Sequence, residues 1–259
     1  MRLKRARVRP CASLSPMRHL RCLLWLVPIL VAGCATAEPT AADILLFKGR
    51  GTSPGDVAAL EDILRERGLS YSTATSAQID GISEPRLKTY RLIVVPGGNF
   101  VDIGNGLSAG ATTKLRSAIG SGLGYLGICA GAFFAGASPS NGLNLTDGVR
   151  FPFYALENRG TRKAPVSVSV AAGTTLEIYW EDGPQLTGWG QPVARYPDGT
   201  PAVVQGRFGE GWVVLAGVHP EAPESWRRGM GFTTPTSASH AFAFTLIDAA
   251  LNRKPLPRN

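Results

Sequence analysis

The sequence GICAGAFFAG, residues 127–136, places three glycines and three alanines around a single cysteine. The apolar run LGYLGI (123–128) leads into it and is typical of a strand buried on both faces. Gly127 and Gly131 lie two positions on either side of Cys129, which is the spacing of a nucleophile elbow. Glycines there remove the side chains that would clash where a strand turns sharply into a helix. The stretch therefore predicts a strand, a strained turn at Cys129 and a helix.

Strands and helices alternate before this elbow. Continuous apolar runs predict buried strands. A helix is expected between Pro54 and Gly68, because Ser53 can cap its start and Gly68 can end it. The expected strands are 44–47, 71–75, 91–95 and 123–128, and a second helix is expected around 111–119. Such alternation implies a mainly parallel central sheet with helices on both faces.

The second half is richer in strands. Strands are predicted at 165–170 and 176–180, and antiparallel hairpins are predicted around Asp198-Gly199 and around residues 209–211. A terminal helix is expected over 237–251, with a cap from Thr236 or Ser237.

The elbow also indicates chemistry at Cys129. Ligands of parallel sheets bind beyond the carboxyl ends of the strands, where both Cys129 and the PGG that follows strand 91–95 lie. A helix that starts after Cys129 favours the thiolate over the thiol. The backbone N–H of Ala130 is a natural oxyanion donor, and Gly97 or Gly98 could supply a second one, because a residue without a side chain lets the backbone approach a substrate.

A cysteine nucleophile needs a proton carrier, and His219 is the best candidate. It follows the predicted strand GWVVLAGV, whereas His240 falls in the terminal helix and is expected to have a surface or capping role. Residues two apart on an extended chain point the same way, so Glu221 could hold the imidazole edge that His219 does not offer to Cys129.

The N-terminus carries most of the excess charge. The chain has 259 residues and a formal charge of +8, and seven of its 27 Lys and Arg residues lie in residues 1–33 without any acid. The other 20 basic residues nearly balance the 19 acidic residues, so the chain after residue 33 has almost no net charge. We therefore exclude nucleic-acid binding. The apolar run at 22–32 is too short to span a bilayer and suits a secretory signal. Small residues then precede Cys34, as in a bacterial lipoprotein box.

We therefore expect lipidation at Cys34, the alternative being an ordinary signal peptide with a chance cysteine. Translation could start at Met1 or Met17. The predicted organisation is a signal peptide (1–33), a lipidated tether (34–42), one domain (43–252) and a short tail (253–259). The expected location is the bacterial outer membrane, facing the periplasm, because Ala35 rather than Asp follows Cys34. Cys129 is then the single thiol of the mature domain.

Three motifs resemble those of class I glutamine amidotransferase-like domains: VVPGGNF (94–100), GYLGICAGAFFAG (124–136) and VLAGVHPE (214–221). Within that superfamily, the chain is most similar to the biotin-protein ligase N-terminal-domain family, and the similarity extends over nearly all of 43–251. The resemblance implies a flavodoxin-like three-layer α/β sandwich and a Cys129–His219–Glu221 triad. Nothing in the chain resembles the ligase's catalytic domain, so biotin transfer is not inferred.

One position departs from the glutamine-hydrolysing pattern G-x-C-x-G-x-Q, because Phe133 stands where the pattern has Gln. No ammonia-accepting synthase domain is evident either. We therefore expect an exported thiol hydrolase or amidase that acts through an acyl-enzyme on a carboxamide, ester or peptide-like bond of a small-molecule or peptide-like substrate. It would use no cofactor or metal. The alternative is a non-catalytic envelope binding module that retains the fold.

Overall fold

The computed structural model describes residues 42–259. The predicted signal peptide, Cys34 and all of the tether except Ala42 lie outside the described residues. Within the described part, no helix combines the length and the apolar character that crossing a membrane requires.

Nine strands of the described chain form one mixed sheet, in the spatial order β2-β1-β3-β4-β9-β8-β7-β5-β6. The strands are β1 (Ile44–Phe47), β2 (Tyr71–Ala74), β3 (Leu92–Val95), β4 (Gly124–Ile128), β5 (Lys163–Ser169), β6 (Thr175–Glu181), β7 (Gln191–Arg195), β8 (Pro201–Phe208) and β9 (Gly211–Ala216). The first five in spatial order pair in parallel, and the rest pair antiparallel.

Two layers of helices cover this sheet. The helices are α1 (Pro54–Glu66), α2 (Ser76–Gly81), α3 (Glu84–Leu87), α4 (Phe100–Asn105), α5 (Ala109–Gly120), α6 (Ala130–Ala135), α7 (Glu224–Arg227) and α8 (Thr236–Asn252). Alternate residues of one strand face opposite sides. Thus Val94 packs in the core that contains α1 and α8, whereas Ile93 packs in the core that contains α4 and α5. The expected three-layer α/β sandwich with C-terminal hairpins is confirmed.

The strand register brings the predicted site residues to one edge. Val95 of β3 pairs with Gly127 of β4, and Ile128 of β4 pairs with Ala216 of β9. The chain therefore leaves three neighbouring parallel strands at the same level, within three residues of Gly97, Cys129 and His219. The β5–β6 hairpin adds its own end here, where Lys163 pairs with Glu181.

Two details at the C-terminal end differ from expectation or extend it. The predicted side-chain cap of α8 is wrong: its N-cap is Pro235, and the Thr236 hydroxyl instead accepts a hydrogen bond of 2.6 Å from Arg227. The tail beyond α8 packs on the sheet, because the Leu256 N–H donates to the fully buried Gln205 side chain at 2.8 Å, and that side chain donates back at 2.7 Å.

Candidate active site

Cys129 lies in a strained turn between β4 and α6. Its backbone has φ 49° and ψ −103°, a conformation that residues with a side chain rarely adopt. Its N–H donates to the Ala216 carbonyl at 2.7 Å, which fixes the turn against β9. A Cβ at Gly127 would come within 2.5 Å of the Gly131 carbonyl oxygen, and one at Gly131 within 2.0 Å of the Val95 carbonyl oxygen. The turn therefore requires glycine at both positions.

Cys129 is 6% exposed, and its thiol has a hydrogen-bond partner. In its thiol form, Sγ donates to the backbone carbonyl of Glu181 at 3.4 Å, so the end of β6 lies directly against the nucleophile. Ala130 is the first residue of α6, and its N–H has no carbonyl one turn earlier in that helix to bind. The backbone therefore offers a donor beside the sulfur.

His219 is held by its backbone and by its ring. Its N–H donates to the Tyr179 carbonyl at 2.8 Å, and Nδ1 lies 2.9 Å from Oε1 of Glu221. The extended chain expected between these two residues is wrong, since the Ala222 N–H donates to the His219 carbonyl at 3.2 Å and closes a turn. The turn brings the carboxylate back to the ring. His240 lies in α8, with Nε2 3.3 Å from the Ala222 carbonyl oxygen.

Asp56, which sequence analysis missed, approaches the same ring nitrogen. Its Oδ1 lies 3.2 Å from Nδ1 of His219, and its side chain is 7% exposed. Asp56 is in the first turn of α1, where its N–H donates to the Ser53 hydroxyl of the N-cap. An acid in a first helical turn ordinarily interacts with the helix dipole, so its sequence position gives no sign of this role.

Burial and charge set the protonation of these three groups. Burial would raise the pKa of Asp56, but the close contact with His219 and the charge of its ring outweigh burial and hold that pKa below its ordinary 3.8. Burial raises the pKa of Glu221, against the effect of His219. For His219, burial acts downward, yet the charges of Glu221 and Cys129 and the contact with Asp56 raise its pKa well above 6.5. The cluster therefore favours an imidazolium, with Asp56 as the more acidic partner.

The other ring nitrogen of His219 is available to Cys129. Both carboxylates approach Nδ1, and Nε2 is buried without a hydrogen-bond partner among the described residues. Cys129 and His219 line the same cavity, and the charge of Cys129 contributes to the raised pKa of His219. The arrangement places one proton carrier beside one sulfur nucleophile.

Gly97 and Gly98 have different surroundings. Gly98 has φ +138° and lies against the loop at Gly51–Ser53, and it lines the cavity above Cys129. Gly97 lies under the triad, since a Cβ there would come within 2.1 Å of Asp56 Oδ1 and 2.7 Å of His219 Cε1. The absence of a side chain at Gly97 thus lets the two ionisable groups meet. Gly98 is the glycine of this pair that borders the space for a substrate.

A cavity of about 310 Å³ opens above the cysteine. Its lining residues include, beyond the predicted ones, Ser53, Asp56, Asn99, Phe100, Phe153, Arg162, Glu181 and Asp182. Phe133 also lines it, stacked on Phe100 with ring centroids 4.7 Å apart. Asp182 forms an ion pair of 2.5 Å with Arg162, and its Oδ1 is buried without a partner among the described residues. The cavity thus has an aromatic side and an acidic side.

The carboxylates and the imidazole are also the donor set in the described chain that a metal ion could use. One ligand atom from each of Asp56, His219 and Glu221 lies within 4.8 Å of the others. A cation there would replace the Nδ1 proton that both carboxylates now approach. Metal-free chemistry therefore stays a prediction, which chelation can test.

Comparisons with known proteins agree with this fold. Residues 42–142 match the family described as "Biotin-protein ligase, N terminal". A biotin–protein ligase from Schizosaccharomyces pombe is 26% identical in an alignment of 167 residues that covers 53% of this chain and 26% of the ligase. The match thus spans about a quarter of that relative.

Two solved structures show the same architecture. A glutamine amidotransferase has a TM-score of 0.54 at 19% identity, with 69% of this chain and 90% of that chain covered. A cytoplasmic protein from Salmonella typhimurium has a TM-score of 0.52 at 14% identity, with 79% and 98% covered. Likeness at this identity concerns the fold alone. The class I glutamine amidotransferase-like fold and the resemblance to the ligase N-terminal family are confirmed.

Proposed function

We propose that residues 43–252 form a cysteine-nucleophile hydrolase that cleaves a carboxamide, ester or peptide-like bond through an acyl-enzyme. One observation carries the proposal: Cys129 occupies a strained turn in a cavity beside His219, whose other ring nitrogen is held by a buried carboxylate. A strained nucleophile, a proton carrier and an orienting acid together are the parts that covalent hydrolysis requires.

In the first half of the reaction, the Cys129 thiolate adds to the carbonyl carbon of the substrate. The C–S bond forms, and the negative charge moves to the carbonyl oxygen, which the N–H groups of Ala130 and Gly98 would stabilise. When the tetrahedral adduct collapses, the bond to the leaving group breaks, and the His219 imidazolium gives its proton to the departing amine or alkoxide. A thioester on Cys129 and neutral His219 remain.

In the second half, water hydrolyses this thioester. Neutral His219 takes a proton from the water as it attacks, the C–S bond breaks, and the acid product leaves. The thiolate–imidazolium pair is thereby restored. Glu221 and Asp56 keep the ring oriented throughout and stabilise its positive charge.

The N-terminal pattern supports a cellular setting for this activity. We propose export, cleavage before Cys34 and lipidation of that cysteine, so that the domain is anchored to the bacterial outer membrane and faces the periplasm. The proposal rests on the seven basic residues, the apolar run and the small residues before Cys34. The partners are then a small-molecule or peptide-like substrate and the membrane.

The experiment is hydrolysis of a panel of N-acyl aminomethylcoumarin amides by the full chain, with a parallel search by mass spectrometry for an acyl group on the Cys129 peptide. We expect fluorescence release and, after acid quenching during turnover, an acyl group on Cys129 of the wild type; Cys129→Ala should lack both, and His219→Gln should lose both or nearly so. Turnover equal in wild type and Cys129→Ala would contradict the mechanism. Absence of any Cys129-dependent turnover or acylation would leave the binding-module alternative.

A further inference from the structure

Two more cavities adjoin the one above Cys129, and they differ in chemistry. The first, of about 480 Å³, shares Phe100, Phe133 and Phe153 with it and extends to Arg150 and Phe151. We call these three shared residues the aromatic trio. A substrate group that leaves the nucleophile in this direction must pass over their rings.

The second neighbouring cavity, of about 440 Å³, lies on the histidine side. It shares Ser53, Asp56 and Glu181 with the central cavity. Its lining also includes Tyr179 and Trp226, whose rings lie 5.9 and 6.1 Å from the ring of His219. A group that extends this way passes the carboxylates of Asp56 and Glu181 and the ammonium group of Lys163.

The position of His219, the proton carrier, determines how the scissile bond is oriented in the site. In the proposed reaction, His219 must donate to the leaving group, so the leaving group has to lie on the histidine side. The acyl part is attached to the opposite side of the carbonyl carbon. Neither neighbouring cavity is lined by His219 itself, but Tyr179 and Trp226 of the second one pack against the His219 ring. The acyl part therefore extends the other way, toward the cavity that begins at the aromatic trio.

The aromatic trio forms an apolar face in contact with this path. Phe133 lies 4.7 Å from Phe100 and 4.8 Å from Phe153 by ring centroids. Phe133 is 6% exposed, but Phe153 is 40% exposed, so part of the face meets solvent. Burying such rings against another apolar group is favourable, and a further ring can stack or pack edge to face.

We infer that the substrate carries an aromatic or similarly bulky apolar acyl group, which binds over the aromatic trio while the leaving group extends past His219. This inference rests on the proposed function, because the direction comes from the proton that His219 donates. It assigns acyl specificity to Phe153 and Phe133. Small polar acyl groups would leave the face uncovered.

Matched chloromethyl ketones test this without requiring turnover. In their reaction, the Cys129 thiolate displaces chloride, so a C–S bond forms and a C–Cl bond breaks. Chloroacetone and 1-chloro-4-phenylbutan-2-one share the reactive group and differ in the benzyl group on the acyl side. We expect the full chain to be alkylated at Cys129 about tenfold faster or more by the phenyl compound, after correction for their rates with a free thiol.

Two variants localise the preference. Phe153→Ala should reduce the ratio of the two corrected alkylation rates to about twofold or less, because the exposed edge of the apolar face is lost. Val101→Ala is the matched control, since Val101 is exposed to a similar extent, 38%, and lies outside the lining of both cavities. It should keep the wild-type preference.

Equal corrected rates for the two ketones in wild type, or a preference unchanged by Phe153→Ala, would overturn the inference and leave the proposed hydrolase intact. A preference without Cys129-dependent hydrolysis of the coumarin amides would support the apolar site and count against the hydrolase. Failure of both ketones and of iodoacetamide to label folded Cys129 would overturn both.

Discussion

Oδ1 of Asp56 lies 3.2 Å from Nδ1 of His219, although one residue is in the first helix of the fold and the other follows its ninth strand. Glu221 approaches the same nitrogen at 2.9 Å. Two buried carboxylates therefore face one imidazole nitrogen, and the ring is held as an imidazolium with Nε2 left for Cys129. Asp56 acts through His219, so we regard it as a positioning residue.

Replacing Asp56 by Asn should shift the alkaline limb of the activity profile to lower pH. The close contact with Asp56 helps to raise the pKa of His219, so its loss lets the imidazolium lose its proton at lower pH. Hydrolysis of the coumarin amides, measured from pH 5 to 10, gives the limb. A purely structural role would lower the rate equally at every pH.

The same variant has a predictable effect on stability. The pKa of Asp56 is lower in the folded chain than its ordinary 3.8, so its stabilisation is present above 3.8 and is lost as pH falls through the folded value. Asp56→Asn should therefore cost about 1–3 kcal/mol at neutral pH and less in acid. Asp62→Asn, on an exposed position of the same helix, should cost under about 1 kcal/mol. Urea unfolding at pH 7 and pH 3 compares them.

A methyl group at Gly97 should separate the ionisable groups. The Cβ of Gly97→Ala would come within 2.1 Å of Asp56 Oδ1, and we expect at least a tenfold loss of Cys129-dependent activity together with about 1–3 kcal/mol of stability. Gly110→Ala, in helix α5, is the control, because the atom nearest to the added Cβ would be 3.8 Å away. Kinetics and thermal melts of both variants check this; a wild-type rate in Gly97→Ala would show that the contact is dispensable.

Free glutamine should be a poor substrate or none. Selecting a small polar amide requires hydrogen-bonding groups, and Phe133 places a ring stacked on Phe100 in the position where the glutaminase pattern has an amide. Ammonia release from glutamine, with Cys129→Ala as blank, measures the activity. Cys129-dependent kcat/KM of about 10⁴ M⁻¹s⁻¹ or more would restore glutaminase activity as the function.

Lipidation should occur at Cys34 and nowhere else in the chain. A bacterial host that expresses the chain should incorporate labelled fatty acid, and the protein should fractionate with membranes; Cys34→Ala should lose the label. Cys22→Ala is the matched control and should keep it, because Cys22 lies in the part that is removed. An unlabelled wild type would contradict the lipoprotein prediction.

The sheet could be predicted because its physical signals are local. Runs such as 44–47 and 92–95 are apolar at every position, which is typical of strands buried on both faces, and the two glycines around Cys129 mark the turn. The C-terminal hairpins followed from turn residues between strands. These signals depend on residues that are adjacent in sequence, so they predict where strands, turns and helices lie along the chain.

Groups brought together by folding could not be predicted in this way. Asp56 resembles any acid in a first helical turn, and its contact with His219 depends on the packing of α1 against the sheet and on Gly97. Phe153 lies in the segment between α6 and β5. No strand or helix periodicity there predicts on which side its ring lies. The approach of Glu221 to His219 was predicted from an extended chain, yet a turn produces it.

The most direct test of the central claim is the rate of iodoacetamide alkylation of Cys129 in the folded full chain as a function of pH. The account predicts labelling at pH 6, where an ordinary cysteine with a pKa of about 8.5 is almost wholly protonated, and its loss in His219→Gln. Peptide mapping separates Cys129 from the other cysteines. A Cys129 that reacts only after unfolding, or equally in His219→Gln, would contradict the claim that it is a nucleophile paired with His219.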